Sequence, residues 1–192
     1  MATAITETPI LLPPSPPKDA EHYEVIDGRR VETPRMGTYE TDIANELAYH
    51  LGHSARANGL GKTEVEMLFR LDAAGDRRRR PDVAFVSYQR WPRGRRAAPN
   101  DAWDVVPDLA VEVISPGNTA PEVLIKVREY FQAGVRLVWV VYPVEREVYA
   151  YESPTIIRVL QPGDDLDGGA VLPGFRLPLA TLFEEEGGPQ GS

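Results

Sequence analysis

The sequence has no cysteine, no long apolar run and no recognisable secretion signal. Without cysteine, disulfides and thiolate zinc or iron–sulfur sites are excluded. No apolar run approaches the roughly 20 residues of a membrane-spanning helix. The first residues lack the basic start and apolar middle of a secretory signal. We therefore expect a soluble protein of the reducing cytoplasm, with no membrane segment.

The chain of 192 residues has the length of one domain with its own hydrophobic core. Residues 1–20 contain five prolines and few aromatic residues, which predicts a disordered or loosely docked tail. We expect a single domain over residues 21–183, followed by an acidic, glycine-containing tail over residues 184–192.

The net charge of −8 argues against a general nucleic-acid binder, but the charge is unevenly distributed. Residues 70–96 hold nine arginines and only three aspartates. The arginines are Arg70, Arg77, Arg78, Arg79, Arg80, Arg90, Arg93, Arg95 and Arg96. This Arg70–Arg96 region could attract a polyanion such as DNA. The alternative is a solvated, arginine-rich loop.

The first half of the chain predicts a hairpin, a helix and two strands. Residues 23–33 form a hairpin around Asp27-Gly28, a pair typical of type I′ turns. Helical spacing of apolar residues predicts a helix from residue 38 to about residue 58. Alternation predicts a half-buried strand over residues 63–71, and the apolar run 82–87 predicts another.

The second half predicts an exposed loop over residues 88–103 and then further strands around a helix. Residues 109–115 are apolar on both faces except for Glu112, which is typical of a central strand. A capping box of Thr119 and Glu122 starts a helix over residues 119–133, whose Leu124, Val127, Tyr130 and Phe131 we interpret as core. Strands follow at 137–142, 147–151, 156–160 and 175–177. The order predicts an α/β protein with a mixed sheet flanked by helices, an N-terminal hairpin and peripheral C-terminal strands.

Two carboxylates lie inside these apolar strands, Asp82 and Glu112. Burying a carboxylate is costly unless it is protonated, paired or bound to a metal. If the two strands are neighbours, the carboxylates converge, and paired carboxylates suit Mg²⁺ or Mn²⁺. The main-chain carbonyl of Val113 would be a further ligand. Such an ion can orient a water and neutralise charge on a phosphodiester.

Lys126 lies in the second turn of the following helix, on the side of Glu122. From there it could reach the same place and hold the attacking water or the scissile phosphate. The alternatives are structural: a strand-starting turn for Asp82, an arginine partner for Glu112 and a solvated helix face for Lys126.

Several strings resemble the PD-(D/E)XK nuclease superfamily and, within it, the Uma-type family of putative bacterial restriction endonucleases. They are Tyr23-Glu24-Val25-Ile26-Asp27-Gly28, Arg80-Pro81-Asp82-Val83, Asp108 to Pro116, Lys126 with Tyr130, and Ala133-Gly134-Val135 with Trp139-Val140-Val141. The resemblance implies a restriction-endonuclease-like core, Mg²⁺ dependence and a homodimer. Two departures stand out: Ile114 occupies the usual lysine position, so Lys126 must substitute, and Glu40 stands where relatives often carry histidine.

The remaining polar candidates have plainer interpretations. We expect Asp108 to shape the loop before its strand, and Glu24 and Asp27 to be structural in the hairpin. Glu46 is a surface residue or an outer ligand, and Glu40 is another candidate for the metal shell. His50 and His53 lack a third ligand in sequence. Ser115 is not in a G-x-S-x-G elbow.

Three hypotheses remain open at this stage. The first is a Mg²⁺-dependent endonuclease that hydrolyses DNA phosphodiester bonds, with Asp82 and Glu112 as ligands and Lys126 as the cationic helper. The second is a catalytically inactive nuclease-fold module for binding or assembly. The third is a metal hydrolase acting on a small phosphoester.

Overall fold

The computed structural model describes residues 22–74, 76–99 and 102–184. The expectations for the tail 1–20 and for residues 185–192 lie outside this range. In chain order the strands are β1 Tyr23–Ile26, β2 Arg29–Glu32, β3 Gly61–Val65, β4 Phe69–Arg70, β5 Arg78–Arg79, β6 Val83–Ser87, β7 Leu109–Val113, β8 Leu137–Tyr142, β9 Glu147–Ser153, β10 Ile156–Leu160, β11 Asp165–Asp167 and β12 Arg176–Pro178. The helices are α1 Thr38–Ala57, α2 Ala120–Ala133 and α3 Leu179–Leu182.

A six-stranded mixed sheet with the order β10-β9-β8-β7-β6-β3 forms the centre of the molecule. β7 and β8 are parallel and joined through α2, while the other neighbouring pairs are antiparallel. A four-stranded sheet, β2-β1-β5-β4, and the pair β11-β12 complete the described strands. The predicted α/β class with a mixed sheet flanked by helices is confirmed.

The N-terminal hairpin has the predicted tight turn. β1 and β2 pair antiparallel, with Ile26 opposite Arg29. Asp27 and Gly28 between them have φ angles of 49° and 73°. Two consecutive positive φ angles are the signature of a type I′ turn, which glycine adopts without strain. The hairpin places β1 next to β5, which brings residues 23–26 towards the chain just before Asp82.

α1 and α2 cover opposite faces of the central sheet. The buried residues of α1, including Leu47 and Leu51, pack with Val111 and Val113 of β7. Val127 and Tyr130 of α2 pack instead with Ala110 of the same strand and with residues of β6 and β8. Because successive side chains of a strand point to opposite faces, Glu112 lies on the α2 face.

The packing of α2 differs from the predicted apolar stripe. Val123, Val127 and Tyr130 are buried, whereas the side chain of Leu124 is 42 % exposed. The predicted cap is present: the Glu122 carboxylate accepts hydrogen bonds from the backbone N–H (3.0 Å) and the hydroxyl (2.8 Å) of Thr119. The spacing of four and then three residues from Val123 to Tyr130 therefore sets the buried face, and Leu124 lies to one side of it.

The prediction of one half-buried strand over residues 63–71 is wrong. β3 ends at Val65, and Glu66 adopts a left-handed φ of 48°. The chain then enters the other sheet through β4. The break shifts the alternation, so that Val65 is exposed and Leu68 is buried. A side-chain period of two cannot continue through a left-handed residue.

The described part of the segment, residues 88–99 together with 102 and 103, is irregular as predicted, but it is not an exposed loop throughout. Trp91 and Trp103 are buried, with their rings edge-to-face at 5.1 Å between centroids. Trp103 also stacks on Phe69 at 5.7 Å. Large aromatic surfaces thus hold both ends of the segment against the α2 face of the sheet. Among the described residues, no helix is long and apolar enough to cross a membrane.

Candidate active site

The strand register brings Asp82 and Glu112 together. β6 and β7 are antiparallel neighbours, with Val83 opposite Val111. One residue further along the same register, Asp82 stands opposite Glu112. Cross-strand partners share a face of the sheet, so both carboxylates lie on the α2 face.

Asp82 is anchored to the end of β7. Its Oδ2 accepts a 2.6 Å hydrogen bond from the backbone N–H of Val113. Burial, followed by the charge of Glu112, raises the pKa of the Asp82 carboxyl to about 8, against the opposing effects of the Val113 N–H and Lys126. At neutral pH the two neighbouring carboxylates therefore do not readily carry full charge together without a cation.

Glu112 is bound from α2 by two side chains at four-residue spacing. Lys126 Nζ donates to Oε2 at 2.7 Å, and the Tyr130 hydroxyl donates to Oε1 at 2.5 Å. Burial, together with the Glu112 charge, raises the pKa of Tyr130 well above its ordinary value, so the hydroxyl keeps its proton. The expectation that Tyr130 only packs in the core is wrong, because its hydroxyl orients a site carboxylate.

Lys126 lies between two carboxylates. Its Nζ is 2.7 Å from Glu112 Oε2 and 3.5 Å from Glu24 Oε1. Burial alone would lower the pKa of Lys126, but Glu112 and Glu24 together raise it well above the ordinary range. The lysine is therefore a permanent positive charge within the site.

Glu24 of β1 also lines the site, although the sequence predicted only a structural role for it in the hairpin. It is only 2 % exposed, and its Oε2 accepts a 2.6 Å hydrogen bond from Arg79 Nη1. Its Oε1 accepts the backbone N–H of Arg80 at 3.0 Å. Burial opposes ionisation, but Lys126 and Arg79 lower the pKa of Glu24 below its ordinary value. The sequence feature that could have identified Glu24 is the one that identified Glu112: a carboxylate between apolar residues of a predicted strand.

Arg79 is an internal residue and not part of a surface belt. It is 4 % exposed, and its Nε and Nη2 both approach Glu129 Oε2 of α2 at 2.6 Å. Arg90 is also turned inward, towards Asp108 at 3.1 Å. Arg79 is therefore not one of the residues of the Arg70–Arg96 region that could attract a polyanion at the surface. The three residues Arg93, Arg95 and Arg96 of the same region are exposed.

The carboxylates and Lys126 line one cleft of about 400 Å³. Val113, Ser115 and Asn118 line the same cleft. The hydroxyl of Ser115 donates to Asn118 Oδ1 at 3.1 Å, which fits a loop-shaping role. The cleft is thus bordered by the start of β6, the end of β7 and the start of α2.

The other sequence candidates lie elsewhere. Asp108 is buried and accepts the backbone N–H of Ser87 at 2.8 Å, so it shapes the loop as expected. Glu46 pairs with His50 at 2.8 Å. The Glu40 carboxylate lies beside Gly37, one residue before α1 begins. Neither Glu40 nor Glu46 lines the cleft.

The donor set at Asp82 and Glu112 suits a hard divalent cation. Each carboxylate oxygen has two lone pairs, so the bonds to Val113, Lys126 and Tyr130 leave acceptor capacity on both side chains. In the described part of the chain, no third His, Asp or Glu joins them in a ligand cluster. A cation here would therefore depend on these two carboxylates together with main-chain oxygen and water, as Mg²⁺ accepts.

The fold is that of a nuclease-like α/β protein. The fold is similar to the crystal structure of a putative nuclease belonging to DUF820 from Anabaena variabilis ATCC 29413. The TM-score is 0.71 at 20 % sequence identity, over 84 % of this chain and 89 % of that chain. At this identity the similarity concerns the fold.

A model of the Uma2 family, described as putative restriction endonuclease, matches residues 11–180. The chain therefore belongs to the Uma2 family of putative restriction endonucleases, which confirms the resemblance noted in the sequence. Membership of this family supports the interpretation of the chain as a nuclease, which is a hydrolase that acts on nucleic acids. No curated protein matches the chain significantly.

Proposed function

We propose that this protein is an endonuclease that hydrolyses DNA phosphodiester bonds with the help of Mg²⁺ or Mn²⁺. The observation that carries the proposal is the pairing of Asp82 with Glu112 in a cleft that also holds Lys126. Burial and, after it, the charge of Glu112 raise the pKa of Asp82, and a divalent cation bound between the two carboxylates would offset both effects.

Asp82 and Glu112 would hold the cation, with the main-chain carbonyl of Val113 as a further ligand. When bound, such an ion lowers the pKa of a water and neutralises charge developing on a phosphoryl group. The Val113 N–H holds the Asp82 carboxylate in place, and Tyr130 does the same for Glu112. Positioning of this kind keeps the geometry fixed during turnover.

Lys126 would act as the cationic helper. Its ammonium group is fixed beside Glu112 and reaches the cleft. From there it can donate a hydrogen bond to the attacking water or to a non-bridging oxygen of the scissile phosphate. A charged donor aimed at a developing oxyanion stabilises the transition state more than the ground state.

The DNA backbone would approach through cations on the cleft wall. Arg35 is exposed and Arg80 half-buried, and both line the cleft. The exposed Arg93, Arg95 and Arg96 of the Arg70–Arg96 region would add non-specific attraction, which weakens with salt. We also propose that the protein is cytoplasmic and forms a homodimer. Analytical ultracentrifugation of the purified protein would test the dimer.

A plasmid-nicking assay tests the activity. We expect nicking of supercoiled DNA that requires Mg²⁺ or Mn²⁺ and drops by at least about 100-fold in both Asp82→Asn and Glu112→Gln. The matched control is Glu145→Gln, which removes an exposed carboxylate in the β8–β9 turn. Nicking that survives in both site variants would rule out the proposed role of the pair.

A second candidate is a catalytically inactive nuclease-fold module that binds or assembles. The observation in its favour is that Glu112 and Glu24 already neutralise Lys126. Nucleic-acid or metal binding without any cleavage would favour this module. Cleavage of small phosphoesters alone would instead indicate a different metal hydrolase.

A further inference from the structure

Lys126 has two carboxylate partners at unequal distances, and they differ in what else they do. Glu112, at 2.7 Å, is the partner that also stands beside Asp82. Glu24, at 3.5 Å, belongs to a different sheet and has no part in that pair. The lysine therefore stands between a candidate cation ligand and a second, more distant acceptor.

Glu24 is held rigidly and is already neutralised. Arg79 binds its Oε2 at 2.6 Å, and Arg79 is itself held by Glu129. The Arg80 backbone N–H binds its Oε1. With one oxygen bound by a guanidinium and the other by an amide, Glu24 is poorly suited to bind a divalent cation directly. It can still accept one more hydrogen bond at Oε1, the oxygen nearest to Lys126.

We propose that Glu24 is a positioning residue that retains Lys126 in the cleft when Glu112 takes up the cation. This inference rests on the proposed function. A cation on Glu112 repels the nearby ammonium group and competes with it for the Glu112 oxygens. A movement of Nζ on the order of 1 Å would bring it to full hydrogen-bonding distance from Glu24 Oε1.

The consequence is a coupling between Glu24 and the cation that runs through Lys126. With Glu24 present, Lys126 has an alternative partner and leaves Glu112 at little cost. Without the Glu24 charge, Lys126 has only Glu112 as a close anionic partner in the described contacts, and it competes with the cation. Loss of one partner from a buried charge pair is expensive, which makes this competition strong.

A double-mutant cycle on Mn²⁺ affinity tests the coupling. The dissociation constant is measured by isothermal titration calorimetry on the full-length wild type, Glu24→Gln, Lys126→Met and the double variant. We expect Glu24→Gln to weaken Mn²⁺ binding roughly 3- to 30-fold, and Lys126→Met to tighten it. In the Lys126→Met background, Glu24→Gln should have almost no further effect.

Two controls separate this role from general electrostatics and from folding. Glu32→Gln removes an exposed carboxylate from the same cleft wall without touching Lys126, and should leave Mn²⁺ affinity within about twofold of the wild type. Glu129→Gln weakens the hold on Arg79 and should lower thermal stability more than affinity. If Glu24→Gln does not fold, Glu24→Asp keeps the charge but withdraws the carboxylate, and the same cycle applies.

The outcomes of the Mn²⁺ titrations separate the role of Glu24 from the metal dependence of the site. An unchanged affinity in Glu24→Gln, or a loss that persists undiminished in the Lys126→Met background, overturns the positioning role of Glu24. The persistent loss would instead indicate a direct effect of Glu24 on the cation. A wild type that binds no Mn²⁺ overturns the proposed metal dependence itself, and the inference with it.

Discussion

The Tyr130 hydroxyl donates a 2.5 Å hydrogen bond to Glu112 Oε1, across 18 residues of sequence. Four residues earlier on the same helix, Lys126 holds the other oxygen. One face of α2 therefore fixes both oxygens of a buried carboxylate on β7. This relationship gives the site its geometry.

Tyr130→Phe should destabilise the protein by about 1–3 kcal/mol, because it leaves the buried Glu112 Oε1 without its partner. Urea unfolding followed by circular dichroism measures the effect. The matched control is Tyr151→Phe, since Tyr151 is also buried but its hydroxyl has no hydrogen-bond partner among the described residues. Equal stability of the two variants would contradict the structural importance of the Tyr130 bond.

Asp82 should make stability depend on pH in the absence of metal. The pKa of Asp82 is about 8 in the folded protein, against 3.8 for an ordinary aspartate. The folded state thus keeps a proton that the unfolded state releases, so this contribution is complete below about pH 4 and is lost as pH rises through about 8. Relative to Asp82→Asn, the free energy of unfolding of the wild type should fall as the pH rises from about 4 to about 8 in EDTA.

The exposed Asp104→Asn serves as the control for this pH series. It should follow the wild-type curve, because its carboxylate lies on the surface. A difference between wild type and Asp82→Asn that does not change with pH would argue against the raised pKa of Asp82.

Mn²⁺ should raise the thermal midpoint of the wild type but not of Glu112→Gln. A ligand that binds only the folded state stabilises it by about 2.7 kcal/mol at 100 times its dissociation constant. Differential scanning fluorimetry over a Mn²⁺ or Mg²⁺ series measures the shift, with Glu145→Gln as the exposed control. Equal shifts in wild type and Glu112→Gln would place the cation elsewhere.

Arg79→Met should be among the most destabilising substitutions in the chain. It leaves two buried carboxylates, Glu24 and Glu129, without their shared partner, at a cost of about 3–5 kcal/mol. The control is Arg158→Met, which breaks an exposed ion pair with Glu152 and should cost at most about 1 kcal/mol. Denaturant unfolding compares the two, and similar losses would contradict the internal role of Arg79.

Local pattern predicted much of the fold correctly. The hairpin turn at Asp27-Gly28, the capping box of α2 and the bounds of β8 all follow from neighbours within a few residues. The prediction over residues 63–71 was wrong because Glu66 takes a left-handed conformation that an alternating pattern does not reveal. The exposed loop was wrong in part because Trp91 and Trp103 find partners in a distant part of the chain.

The sequence by itself determined the N-terminal hairpin, the two long helices, the apolar strands β6, β7 and β8, and the presence of two carboxylates at apolar strands, because spacing and the cost of burial act along the chain. Only the tertiary structure decided that Glu24, Arg79 and Tyr130 join that pair. Glu24 and Arg79 meet across 55 residues, through the docking of β1 and β5 against α2. Contacts of this kind depend on how elements pack against one another, which no local period encodes.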